Sequence, residues 1–272
     1  MSNFFEKPTT SKTKLWYKPD ITSPEDLESS SLTVSLPKSY KKSQSTNSIR
    51  PIVFLFNQGL LYSTKKDGAI ISGVLDLNYA YAEVKSVEEE QHKNVSFCIT
   101  IEKRNRYTTI YLRDQESVSV WLDIISPYCV QRNFSGFYKT EGLLGEGSYG
   151  SVFLVKCKAS GSLYATKAFS KRDLAAKEDA YESVINEINI MKRLGNEPNF
   201  TGYHGLFEST NSIYILMEYV KGEPIFDLMD IIRVKEHQRA LILAQLARAI
   251  ESMQKQNVVH RDFKPDNILL TA

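Results

Sequence analysis

Three glycines, Gly145, Gly147 and Gly150, stand just ahead of two runs that read as strands, and their spacing narrows the fold more than anything else in the chain. From Leu144 to Val152 the pattern is G-x-G-x-x-G-x-V. Glycines so placed let backbone N–H groups approach an anion with no side chain between them. Two chain paths use such a pattern. In dinucleotide-binding sheets the glycines open a helix. Here Val152-Phe153-Leu154-Val155-Lys156-Cys157 reads as a strand, and Ser160-Gly161-Ser162 turns the chain into a second one, Leu163 to Lys167. The reading is a strand–loop–strand flap.

Past the flap the period lengthens. Ala180 to Leu194 sets Val184, Ile185, Ile188, Met191 and Leu194 on one face, the spacing of an amphipathic helix. Glu187 lies on that face. An acid on a mostly apolar face needs a partner, because an unpaired buried carboxylate is costly. A cation is therefore expected near Glu187, with Glu182 as the alternative acid. Ser212 to Val220 reads as a further strand. Glu236 to Gln256 reads as a long helix with Leu241, Ala244, Leu246, Ala249, Ile250 and Met253 near one stripe.

The chain then reads His260-Arg261-Asp262-Phe263-Lys264-Pro265-Asp266-Asn267-Ile268-Leu269-Leu270. Taken in order, the flap, Lys167, Glu187, the 212–220 strand and this run resemble the catalytic domain of Ser/Thr protein kinases, closest to the AGC and calcium/calmodulin-dependent groups. The resemblance covers residues 137–272. It implies ATP and Mg²⁺ as cofactors and a protein bearing Ser or Thr as substrate. By the same resemblance, Leu144, Gly145, Gly147, Gly150, Val152, Ala165, Lys167 and Leu269 surround the nucleotide. Met217 is implied as gatekeeper, Glu218 offers its C=O and Val220 its N–H to adenine. Asp262 is implied as the catalytic base, Lys264 as a cation on the transferred phosphoryl group, and Asn267 as a metal ligand, while Lys167 and Glu187 form the ion pair. Pro224 departs from the family pattern, so the ribose contact falls to Glu223 or Asp227. Within these 272 residues no Asp-Phe-Gly follows Asn267, nor do an activation loop, an Ala-Pro-Glu segment or the lower helices. The expectation is that these residues alone are catalytically incomplete. A pseudokinase or scaffold is one alternative reading, and a phosphoinositide- or partner-binding module acting through the first half of the chain is the other.

The first half has a different pattern. Residues 1–29 are polar and rich in Ser, Thr and Pro, which reads as a tail. From about residue 30 come short strand-like runs: Ser30–Leu36, Ile52–Phe56, Leu60–Thr64, Ile70–Leu77, Ala80–Val84, Val95–Ile101 and Tyr107–Leu112. Val118, Trp121, Leu122 and Ile125 then mark a helix, capped by Asp114 or Ser117. Strands closed by one helix with a central Trp resemble a pleckstrin-homology domain over residues 30–132; another small barrel with a capping helix shares the pattern. That resemblance implies a phosphoinositide surface, with Lys38, Lys41, Lys42 and Arg50 in the loop between the first two strands. Residues 133–136 read as a short polar linker. The expected fold class is therefore α+β: an antiparallel barrel with its helix, then a kinase-like sheet with one helix and the first helices of a second lobe.

The formal net charge is +2, lower than a generally basic nucleic-acid binder carries, so nucleic acid is not expected as a partner. Cys98, Cys129 and Cys157 are far apart and odd in number, which suits a reducing compartment. The first residues lack a signal-peptide pattern. No apolar run approaches the ~20 residues that cross a bilayer. The expected location is cytoplasmic, with any membrane contact at the surface. The sequence leaves the oligomeric state open.

Overall fold

The computed structural model describes residues 16–17, 34–35, 39–42, 49–52, 54–57, 59–65, 70–87, 96–103, 106–147, 150–225 and 235–271. The chain divides into two compact units, Met1–Asn133 with Gly205–Thr210, and Phe134–His204 with Asn211–Ala272.

In the first unit the strands are β1 (Trp16–Tyr17), β2 (Val34–Ser35), β3 (Ser39–Lys42), β4 (Ile49–Ile52), β5 (Phe54–Asn57), β6 (Leu60–Lys65), β7 (Ile70–Asp76), β8 (Tyr81–Ser86), β9 (Phe97–Lys103) and β10 (Arg106–Leu112). Helix α1 (Gln115–Ile125) and strand β11 (Val130–Gln131) follow. One antiparallel sheet runs β1-β7-β6-β5-β2. A second runs β11-β8-β9-β10-β3-β4, and residues 206–207 pair with β11. Alternation along β9 places Ile99 and Ile101 inside, where Leu61, Leu75, Ile110 and Leu112 meet them. Helix α1 closes this core with Val118, Trp121 and Ile125, all at most 1% exposed. Asp114 caps it, accepting from the amide of Ser117 at 2.7 Å.

Lys41 and Lys42 lie on β3 and Arg50 on β4, so these basic residues belong to a hairpin rather than to the expected loop. The reason is an edge to pair with: β10 aligns Tyr111 with Tyr40 and Ile110 with Lys41, which draws the polar segment into the sheet. Lys38 lies outside the described residues.

The second unit opens with helix α2 (Phe134–Phe137), where the sequence reads as a short polar linker over 133–136. Phe134 is the cause. It is 7% exposed and stacks on Tyr214 at 4.3 Å and Tyr138 at 5.3 Å. Strands β12 (Tyr138–Glu146), β13 (Ser151–Cys157) and β14 (Leu163–Ser170) lead to helices α3 (Lys171–Ala175) and α4 (Ala180–Leu194). Strand β15 (Tyr203–Glu208) follows, of which residues from Gly205 on count with the first unit. Then come β16 (Ser212–Glu218), β17 (Gly222–Pro224), α5 (Glu236–Lys255), a 3₁₀ turn (Pro265–Asn267) and β18 (Leu269–Thr271). The sheet order of this unit is β12-β13-β14-β16, all antiparallel. Helix α4 buries Ala180, Val184, Ile188 and Leu194. Helix α5 buries only Ala249 and Met253 among its described side chains, and Leu241, Leu243 and Ile250 of the same helix are exposed.

Candidate active site

The glycine turn joins β12 to β13. Gly147 N–H donates to Gly150 O at 2.8 Å, closing the turn. A Cβ on Gly150 would stand 2.3 Å from Ala168 O, a backbone atom, so only glycine fits there without a shift. Gly145 pairs with Val152 beside a register shift, and a Cβ there would meet nothing within 4 Å. Residues 148 and 149 lie outside the described set.

Lys167 sits mid-strand, in register with Val152 on one side and Ile215 on the other. Its Nζ donates to Glu187 Oε1 at 2.5 Å, with the two side chains 23% and 34% exposed. Nζ also stands 5.2 Å from the centre of the Phe169 ring, a further favourable cation contact. The structure thus brings together the lysine and the acid chosen from the helix face, while Glu182 is exposed in the first turn. Pairing on two sides fixes the lysine backbone, and the acid fixes its head.

Ala165 is opposite Met217, and Tyr164 opposite Glu218, at the end of β16. Glu218 is locked to Gly202 both ways: its amide donates to Gly202 O at 2.8 Å, and its Oε2 accepts from Gly202 N at 3.2 Å. Val220 O accepts from Gly222 N at 3.0 Å, which turns the chain into β17. There Gly222 runs so close to β18 that a Cβ would meet Leu270 O at 2.3 Å. Pro224 pairs with Leu269 on this ribbon. Leu144 and Leu269 keep exposed apolar side chains, at 47% and 44%. Asp227, the other acid named for a ribose contact, lies outside the described residues.

Beyond α5, Arg261 takes a left-handed backbone with φ 64°. Asp262 Oδ2 accepts from Asn267 Nδ2 at 3.0 Å and pairs with Lys264 Nζ at 3.2 Å. Asn267 Nδ2 also donates to Asp262 O at 2.8 Å, bridging five residues of loop. The hydrogen bond from Asn267, then that from Lys264, holds the Asp262 carboxyl below its ordinary value, against a small opposing effect of burial. Asp262 is therefore an ionised acceptor at neutral pH. Because the Asn267 amide spends its donors on Asp262, its carbonyl oxygen is the atom left to meet a cation.

Three features are thus in place: a glycine turn, a lysine held by an acid, and an exposed carboxylate with a cation and an amide beside it. They suit a phosphate-bearing ligand with Mg²⁺, a metal that takes few protein ligands and shares phosphate oxygens. A separate cleft of about 470 Å³ is lined by Gly147, Gly150, Ala168, Ser170, Leu174 and Lys177 among others. Ala168 and Ser170 alternate with Lys167 along β14, so this cleft lies on the strand face away from the lysine.

Residues 138–272 match the family model of the protein kinase domain. Calcium-dependent protein kinase 22 of Arabidopsis thaliana is 36% identical over 135 residues, covering 47% of this chain and 27% of that protein. Calcium-dependent protein kinase 4 of Plasmodium berghei is 38% identical over 138 residues, covering 50% of this chain and 26% of that protein. Serine/threonine-protein kinase DCLK3 of Mus musculus is 34% identical over 134 residues, covering 49% and 16%. The chain spans less than a third of the length of these curated relatives.

Proposed function

We propose that residues 138–272, a protein kinase domain by their family match, bind ATP with Mg²⁺ and supply the nucleotide-binding side of a Ser/Thr protein kinase. The observation that carries this is the Lys167–Glu187 pair at 2.5 Å, in one unit with the Asp262–Lys264–Asn267 cluster. Lys167 holds two phosphates, and Glu187 keeps its ammonium from swinging away. The backbone of Gly145, Gly147 and Gly150 covers the phosphate chain. Val152, Ala165 and Leu269 offer apolar contact to a purine, with Met217 behind it and the backbone of Glu218 and Val220 along its edge. Asp262 accepts the proton of the substrate hydroxyl, Lys264 faces the charge on the transferred group, and Asn267 offers its oxygen to the metal. Bound MgATP supplies the phosphoryl group and the metal charge that offsets it.

Calorimetric titration of the whole chain with MgATP tests the reading. Lys167→Met should weaken binding by about tenfold or more, since a charged hydrogen bond is worth ~1.5–3 kcal/mol. Equal binding by both proteins would sink the assignment. These 272 residues carry Asn267 but no Asp-Phe-Gly. Electrostatic stabilisation dominates phosphoryl transfer, so the proposal for them alone is nucleotide binding without measurable transfer. Peptide phosphorylation that Asp262→Asn abolishes would overturn that part.

For the first unit the proposal is a pleckstrin-homology-like module that meets phosphoinositides at a cytoplasmic membrane surface. The β3–β4 register supports it by setting Lys41 opposite Arg50. Two basic residues at one register position suit an anionic headgroup. Co-sedimentation with phosphoinositide vesicles that is unchanged by Lys41→Glu with Lys42→Glu removes this reading.

A further inference from the structure

Two residues beyond the C-cap of α4, Glu197 reaches α5. Its Oε2 accepts from Ser252 Oγ at 3.1 Å and its Oε1 accepts from Gln256 Nε2 at 3.0 Å. Ser252 and Gln256 are four residues apart, so they lie on one face of the helix. Arg193, in the last turn of α4, donates its guanidinium to the backbone oxygen of Gln256, the C-cap of α5. Leu194 packs with Met253 and Val258, with Ile190 and Phe200 against them. The loop carrying Glu197 is itself held, because Glu197 N–H donates to Leu194 O at 2.8 Å.

The two helices joined here have different tasks. Helix α4 carries Glu187, which holds Lys167. Helix α5 leads through Asn257, at φ 53°, and Val258, whose amide donates to Met253 O at 2.8 Å, into the run that holds Asp262. A carboxylate held in the loop that ends α4 and accepting twice from α5 and its C-cap fixes their relative placement more tightly than the apolar patch alone, since apolar contact has no preferred direction. We infer that Glu197 is a positioning residue: it sets the separation between the Lys167–Glu187 pair and the Asp262 loop. The inference rests on the assignment of those two groups to nucleotide and transfer. Its demand on geometry is real, because a misplacement of ~1 Å can cost on the order of 10²-fold in rate.

The test uses the whole chain, wild type, Glu197→Ala and Glu197→Gln, in two measurements. In hydrogen–deuterium exchange, Glu197→Ala should speed exchange both along α4 and in residues 258–267. Faster exchange confined to 195–200 overturns the inference. In MgATP titration Glu197→Ala should lose about tenfold in affinity, within the usual range for coupling between linked sites. Glu197→Gln should stay within about twofold, because a flipped Gln256 amide can accept from the new one. In a Glu187→Gln background the alanine change should cost nothing more if it acts through that acid, and full additivity overturns it. A wild-type chain that binds no MgATP sinks the nucleotide assignment instead, and the exchange data then decide Glu197 alone.

Discussion

Asp262 is exposed, yet its carboxyl is held below the ordinary range, first by Asn267 and then by Lys264. The sign is that of a depressed acid: the charged form is favoured in the fold, and the contacts are lost as pH falls below the ordinary value of 3.8. Asn267→Ala should raise the Asp262 pKa toward that value, read by carboxyl NMR titration. An unmoved titration would show that the amide does not hold the acid. Cys157 makes a second residue-scale case. Burial raises its thiol, but hydrogen bonds from Ser160 and from the amides of Ser160 and Ala159 outweigh this and bring it below the usual thiol value. Cys98 is pushed up, chiefly by burial, and Cys129 is buried. One thiol, Cys157, should therefore react quickly with iodoacetamide in the native chain, with the other two following only on unfolding. Peptide mapping that finds Cys98 or Cys129 labelled first refutes this. At this scale the sequence was informative where burial logic applied: an acid on an apolar helix face demanded a cation, and Lys167 supplied it. Glu197 offered no such cue, since it follows the helix in a polar loop.

At the scale of elements, long periodic segments were legible and short ones were not. Helix α4 runs over Ala180–Leu194, the span its apolar spacing gives, and α1 carries its Trp121 inward as expected. Strands β3 and β4 and helix α2 were misread because their stability comes from tertiary partners, an open edge of β10 and the ring of Tyr214. The glycine pattern was legible as a flap but not in its detail, because which glycine is indispensable depends on what lies across the sheet. Ala168 O lies beneath Gly150, whereas Gly145 faces open space. Gly150→Ala should therefore cost about 1–3 kcal/mol, the usual range for overpacking. Gly145→Ala should stay within about 0.5 kcal/mol, as surface changes do. Thermal denaturation of the two variants side by side checks this, and equal midpoints would refute the difference.

For the molecule as a whole, the point that sequence order concealed is where residues 205–210 belong. They follow α4 in the chain and lie inside the kinase-matched stretch, yet they count with the first unit. Leu206 and Phe207 pair with Val130 and Gln131 of β11, and both are at most 2% exposed. No local pattern announces this, because a short apolar run looks the same whichever sheet receives it. Glu208 follows, 6% exposed, and accepts a hydrogen bond from the Tyr81 hydroxyl, itself on a residue 2% exposed. A carboxyl so buried is tolerated only with donors around it. Tyr81→Phe removes one donor while leaving the ring, and with it the contact to Arg132, 5.0 Å from the ring centre. The loss should be about 1–3 kcal/mol, the penalty for taking a partner from a buried polar group. Glu208→Gln keeps an acceptor for the phenol and should cost less. Both tryptophans, Trp16 and Trp121, lie in the first unit, so indole fluorescence during urea unfolding follows that unit alone. A Tyr81→Phe midpoint equal to wild type would mean that the hydrogen bond does not hold residues 205–210 in place, and that the pairing with β11 and the burial of Leu206 and Phe207 suffice.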